Sequence, residues 1–194
     1  MTLIELLIAV AITAGALAVV TFFAIDLSNF GINLGDRLEN ERELELTLRT
    51  ITSELRSMGP GGNGAYPIAQ ASSSSFTFFS DIDADGAFEQ VRYFASGTTL
   101  YKGVINPTGA DPISYPPTGE TVTEVVHNII NATNIFAYYP EGYAPETGAL
   151  TVPINVSFIR MLKITGTTDR DQTRPPAPST LSIMVTIRNL RGEI

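Results

Sequence analysis

The chain has 194 residues, no cysteine, one histidine and a formal charge of -8, with 16% charged residues. That composition excludes disulfide staples and thiol chemistry. It also argues against nucleic acid as a partner, because no basic stripe or Lys/Arg cluster is present. A lone histidine without cysteines excludes a zinc centre of the usual kind.

In chain order, the first feature is "MTLIELLIAVAITAGALAVVTFFAI". Residues 6–25 carry no charge and no proline, and twenty helical residues span roughly 30 Å, the thickness of a bilayer core. A cleaved secretory signal would begin with Lys or Arg, have a shorter apolar stretch and end at small residues. Here the apolar run leads straight into a polar helix. No proline precedes Pro60, so one helix is predicted from Thr2 to about Ser57, with "GPGGNG" at 59–64 as its stop. Residues 1–25 form its apolar half and 26–58 its amphipathic half. In the second half Leu44, Leu48, Ile51, Leu55 and Met58 recur every three or four residues as one stripe. The acids from Glu41 to Glu45 and the neighbouring arginines make a solvated or partner-facing side.

Residues 59–194 read as a β-rich head. "SSFTFFS", "AFEQVRYFA" and "TTLYKGV" are strand candidates, the last two joined by a hairpin at Ser96-Gly97. "NPTGADPISYPPTGE" is a loop, and "TVTEVVHNII" is undecided between short helix and strand. "TNIFAYY" is a further strand. "ALTVPINVSFIRMLKI" and "STLSIMVTIRNL" are the strongest candidates, and "TGTTDRDQTRPPAPS" between them is a long exposed loop. In the last strand Leu181, Ile183, Val185 and Ile187 alternate with Ser182, Met184, Thr186 and Arg188, which predicts one buried face. One helix followed by a run of strands gives an α+β fold, a long N-terminal helix packed on an antiparallel sheet.

Two groups of residues carry chemistry. Glu5 is a carboxylate at the edge of a membrane-length apolar run, where an acid costs on the order of 2–3 kcal/mol or more. It either snorkels at the interface or meets a cation, and the α-amino group of Met1 lies about one helical turn away. Between axially offset helices, Glu5 of one subunit can meet the amine of the next. "DIDADGAFE" places Asp81, Asp83 and Asp85 at alternate positions, then Gly86 and Glu89. That is the opening of a calcium loop, with oxygen ligands at positions 1, 3, 5 and 9 and a glycine for the turn. Arg92 stands where the closing acid of such a loop belongs, so an acid-rich turn kept in water is the alternative. His127 reads as a surface or packing residue. Asn131-Ala-Thr and Asn155-Val-Ser match the glycosylation pattern without further support. Tyr138, Tyr139 and Tyr143 suggest a sheet edge. No nucleophile elbow or phosphate-binding glycine loop is present, and no enzyme is expected.

"TLIELLIAVAITAG", with glutamate at position five and a long helix behind it, resembles the N-terminal methylation motif of type IV pilins and pseudopilins. The later "FFSDIDADGAFEQVRYF", "TTLYKGV" and "STLSIMVTIRNL" are loosely similar to the PilW-like or J-type minor-pilin branch. The resemblance implies a structural subunit of a type IV pilus or of a type II secretion-like filament. Such a subunit is stored in the bacterial inner membrane and polymerised through its N-terminal helix into a filament at the cell surface. The alternative is a minor tip-proximal pilin or an adhesin, with loops 105–120 and 165–179 as binding surfaces. The implied partners are copies of the chain or other pilins, a prepilin peptidase, and an assembly platform with its ATPase. The chain begins at the motif, so it resembles the processed form, and Met1 becomes the implied site of N-methylation. The proline common near position 22 is replaced by Phe22. Any unwinding of the helix in a filament is therefore expected between Val10 and Phe23, around Gly15.

Overall fold

The computed structural model describes residues 2–142, 148–173 and 177–187. Helix α1, Leu3–Arg56, is continuous through Gly15, Gly31 and Gly35 and measures about 80 Å at 1.5 Å per residue. It stops where the sequence predicts. Ser57 N–H bonds Ser53 O, Met58 forms a bridge to Ser80, and Gly59 N–H donates to Phe79 O at 3.1 Å. The chain thus passes from helix to sheet without a linker. Gly59 has no room for a side chain, because a Cβ there would lie 2.4 Å from the Phe88 ring.

The fold is α+β, and the head consists of two antiparallel sheets. The first contains β1 (Ile68–Ala71), β2 (Ser75–Ser80), β3 (Glu89–Ser96), β4 (Thr99–Ile105) and β5 (Thr121–Val126), in that spatial order. The second contains β6 (Phe136–Tyr139), β7 (Met161–Thr168) and β8 (Ser179–Thr186). Each sheet is a simple meander, so every pairing is between chain neighbours. The β3–β4 hairpin turns through Gly97 and Thr98, with Ser96 opposite Thr99 and Gly97 at φ +60°. This is the backbone geometry glycine accepts without strain. "TVTEVVHNII", undecided from sequence, contributes β5.

Three expectations need correction. The segment "ALTVPINVSFIRMLKI" is a strand only from Met161; Val156–Phe158 is a 3₁₀ turn, capped by the Asn155 side chain, which accepts from Ser157 N–H at 3.1 Å. Its first half is apolar in composition, but Pro153 and the Asx turn at Asn155 prevent a ladder. The loop expected over 165–179 is shorter, since β7 runs to Thr168 and β8 starts at Ser179. Strand β1 has no strong alternation and was not expected.

The core lies between the amphipathic half of α1 and both sheets. Leu44, Leu48, Ile51, Leu55 and Met58 are all buried, as the stripe predicts. They meet Phe76, Phe78 and Tyr93 of the first sheet and Phe136, Leu162, Ile164 and Val185 of the second in one apolar cluster. Phe76 joins the sheets through ring contacts to Phe136 and Tyr138, at 6.1 and 5.6 Å between centroids. Main-chain bonds from Ile135 and Phe136 N–H to Ser73 O seal the same seam. In β8, Val185 is buried with Ile187 just beyond it, and Leu181 and Ile183 are partly covered, as the alternation predicts; Arg188 lies outside the described residues. Gly166 of β7 sits directly beneath Leu44, where a Cβ would approach within 2.4 Å, so α1 rests on backbone at that point.

Candidate functional site

The apolar half of α1 stands clear of the head. Its large apolar side chains from Leu3 to Ile25 are 52–83% exposed, and the helix is long and apolar enough to cross a membrane. A helix apolar on every side needs lipid or other helices around it. Its few polar side chains are satisfied internally. The Thr13 hydroxyl donates to Ala9 O at 2.9 Å, and that of Thr21 to Leu17 O at 2.8 Å, the arrangement a helix without water requires. Glu5 turns back on its own helix start, where Oε2 accepts from Thr2 N–H at 3.2 Å. This is the carboxylate half of a capping box, favoured by the positive end of the helix dipole. Met1, the other residue assigned to assembly and the implied methylation site, lies outside the described residues.

The acidic segment joins β2 to β3 at the far end of α1. It is held by carboxylate-to-amide bonds, two of them Asx turns. Asp81 Oδ2 accepts from Gly86 N–H, Asp83 Oδ1 from Asp85 N–H and Asp85 Oδ1 from Ala87 N–H, at 3.2, 3.3 and 2.7 Å. Ala84 and Gly86 take φ of +63° and +89°. The fold brings together Asp81, Asp83 and Glu89, each offering a carboxylate oxygen within 4.8 Å of the others. Asp85 is not part of that trio. Its Oδ1 accepts from the Ala87 amide, and the sequence-derived set of four is reduced to three. Glu89 is only 4% exposed, and its Oε2 accepts from Ile82 N–H at 3.0 Å. Burial, and after it the charges of Asp83 and Asp85, push its carboxyl above the ordinary range against the pull of that amide.

Two polar clusters tie α1 to the sheets, and sequence reasoning missed both. Glu54, on the helix face turned to the first sheet, is buried. It forms an ion pair with Lys102 of β4 and accepts from Tyr93 Oη of β3 at 2.8 Å. Its main-chain carbonyl accepts from Ser80 Oγ at 2.7 Å. Burial, then the Glu54 charge, hold the Tyr93 hydroxyl far above its ordinary pKa, so it remains a donor. The second cluster centres on His127, just after β5. Nδ1 lies 3.0 Å from Glu43 Oε2 of α1 and Nε2 3.0 Å from Glu124 Oε2 of β5, while the His127 amide also donates to Glu43. These hydrogen bonds, that to Glu43 first, raise the imidazole pKa. The one signal is the place of Glu54 on the apolar stripe, three residues after Ile51; the pairing with Lys102 and that of His127 with Glu43 span 48 and 84 residues and leave no local pattern.

The remaining candidates have structural roles. Asn131 is consumed by the fold: its amide donates to Asn134 O and Thr165 O, and its oxygen accepts from Thr167 N–H. Tyr138 and Tyr139 lie in β6, an edge strand of the second sheet, where the Tyr138 ring is buried and its hydroxyl donates to Ser72 O at 2.8 Å; Tyr143 lies outside the described residues. No protein-family model and no curated protein matches the chain in sequence.

Proposed function

We propose that the chain is a filament subunit of the type IV pilin or pseudopilin kind, held in a membrane by residues 1–25 and built into a filament through that same segment. The reading rests on one observation: an acid, Glu5, at the start of a helix that is apolar and open on all sides, projecting from a separately packed head. A simple membrane anchor gains nothing from such an acid. In a bundle of these helices the apolar faces supply cohesion and Glu5 selects axial register by meeting the α-amino group that the resemblance places at Met1 of a neighbouring subunit. Thr2 N–H then acts as the resting partner of Glu5 in the unassembled chain. The partners of this reading are further copies or related pilins, the peptidase that frees the N-terminus, and an ATP-driven assembly platform. The head contributes spacing and surface, and no catalysis.

The test is the Glu5→Leu variant, judged by electron microscopy and mass spectrometry of sheared surface material. Breaking a buried pair costs about 3–5 kcal/mol, which is a hundredfold or more in each association step. Filament incorporation is therefore expected to fall at least tenfold while membrane insertion is kept or improved. Normal incorporation of Glu5→Leu would refute the pairing, and a chain found only as a membrane monomer would refute the filament reading itself.

A further inference from the structure

We propose that Asn155 is the acceptor of an N-linked glycan, and that Asn131 is not. The sequence offers both, as Asn131-Ala-Thr133 and Asn155-Val-Ser157. Its apolar setting assigns Asn155 to a strand, where a glycan has no place. The structure removes that objection, because 155–158 is a capped 3₁₀ turn in a loop before β7. Asn155 and Ser157 are both exposed.

The two asparagines differ in what remains free. Asn131 is partly buried. Its amide nitrogen donates to Asn134 O and to Thr165 O, and its oxygen accepts from Thr167 N–H. A glycan on that nitrogen would replace one of its two hydrogens and break the join between the turn at 131–134 and β7. Asn155 uses only its oxygen. Oδ1 accepts from Ser157 N–H at 3.1 Å and from Ser157 Oγ–H at 2.7 Å. Nδ2 has no partner among the described residues, so both of its hydrogens are available at the surface.

The same turn favours the chemistry. A carboxamide nitrogen is a weak nucleophile, because its lone pair is delocalised onto the oxygen. Two donors on Oδ1 stabilise the charge that gathers there as Nδ2 gives up a proton. Nδ2 then attacks the anomeric carbon of a polyprenyl-diphosphate-linked oligosaccharide, the donor class for such a transfer. The bond from that carbon to the diphosphate oxygen breaks, its electron pair leaves with the lipid diphosphate, and the amide proton passes to a base of the transferase.

A second observation concerns the surface around the site. Val152 and Phe158, at 75% and 61% exposure, are the most exposed large apolar side chains among the described residues of the head. They stand three residues to either side of Asn155. A bulky, solubilising glycan rooted between them shields apolar surface that the fold leaves bare. From the proposed function this inference takes only that the head lies outside the cytoplasm.

The experiment is glycopeptide mapping by mass spectrometry of the full chain, extracted in detergent from total membranes of the cells that make it. The peptide containing Asn155 is expected to carry a glycan and the peptide containing Asn131 to be bare. Asn155→Asp keeps an oxygen for both Ser157 bonds but lacks Nδ2, so it should be recovered folded and bare. Ser157→Thr should retain the glycan and Ser157→Ala should lose it. A bare Asn155 in the parent, a glycan on Asn131, or a glycan that persists in Asn155→Asp overturns the site. Total membranes keep this result separate from the filament reading. A glycosylated chain that never polymerises sinks only that reading, and a polymerised chain with bare Asn155 sinks only this one.

Discussion

Glu54 is a carboxylate inside the core, and it marks the register in which α1 lies on the first sheet. Both its oxygens are engaged, one by Lys102 and one by Tyr93. Removing it leaves a largely buried ammonium and a buried hydroxyl without an acceptor. Glu54→Ala is therefore expected to lower stability by about 3–5 kcal/mol, measured by urea unfolding. Replacing both charges, Glu54→Leu with Lys102→Met, is expected to recover most of that loss, because desolvation of the pair offsets much of its attraction. If the double variant is as unstable as the single, Glu54 acts through packing and not through the pair. Glu54 lies three residues after Ile51 and four before Met58, so helical spacing places it on the buried stripe, and the lysine and tyrosine opposite supply its partners.

At the scale of elements, the His127 cluster fastens α1 to β5. Glu43 reaches it from the helix and Glu124 from the strand, and Glu39 and Arg170 line the same small hollow. The folded pKa of His127 is raised above the value of about 6.5 it has when unfolded. Its contribution to stability is thus fully present below pH 6.5 and is lost as pH rises through the folded pKa. With the imidazole nearly half exposed, that contribution stays within about 1 kcal/mol. The expected result is a stability that declines across neutral pH in the parent and loses this decline in His127→Gln. An NMR titration of His127 should show a midpoint above 6.5 that falls in Glu43→Gln; an unchanged midpoint would remove the clasp. On the same helix, the Ser179 hydroxyl and then Arg37 hold Glu41 below the ordinary carboxylate range.

At the scale of the whole molecule, one continuous helix has an exposed half and a packed half. Contacts between α1 and the head begin in the region of Arg37 to Asn40, and every described side chain before it is exposed. Glu5 therefore lies about 50 Å along the helix from the first packed turn. Removal of residues 1–25 is expected to leave the unfolding midpoint of the head within about 2 °C and to abolish membrane association. A head that unfolds on this deletion would show that the apolar segment supports it directly, contrary to the packing described here.

Local pattern alone determined the long helix, its end at the glycines, the stripe from Leu44 to Met58 and the paired strands from Ser75 to Ile105. Each is legible because periodicity of 3.6 or 2 records which face is buried, and because hairpin partners are neighbours in the chain. The isolated acid at Glu5 and the alternating acids at 81–89 were visible for the same reason, as departures from a local pattern. The tertiary structure alone decided the rest. It divided the strands into two sheets and turned 149–160 into a loop. It withdrew Asp85 from the acidic trio and buried Glu89. It also gave Glu54 and His127 their partners. The partners of Glu54 and His127 come from far along the chain, Tyr93 and Lys102 39 and 48 residues from Glu54 and Glu43 84 residues from His127. Such pairs have no period, and their energy arises only once burial has stripped away the water that would otherwise satisfy each group alone.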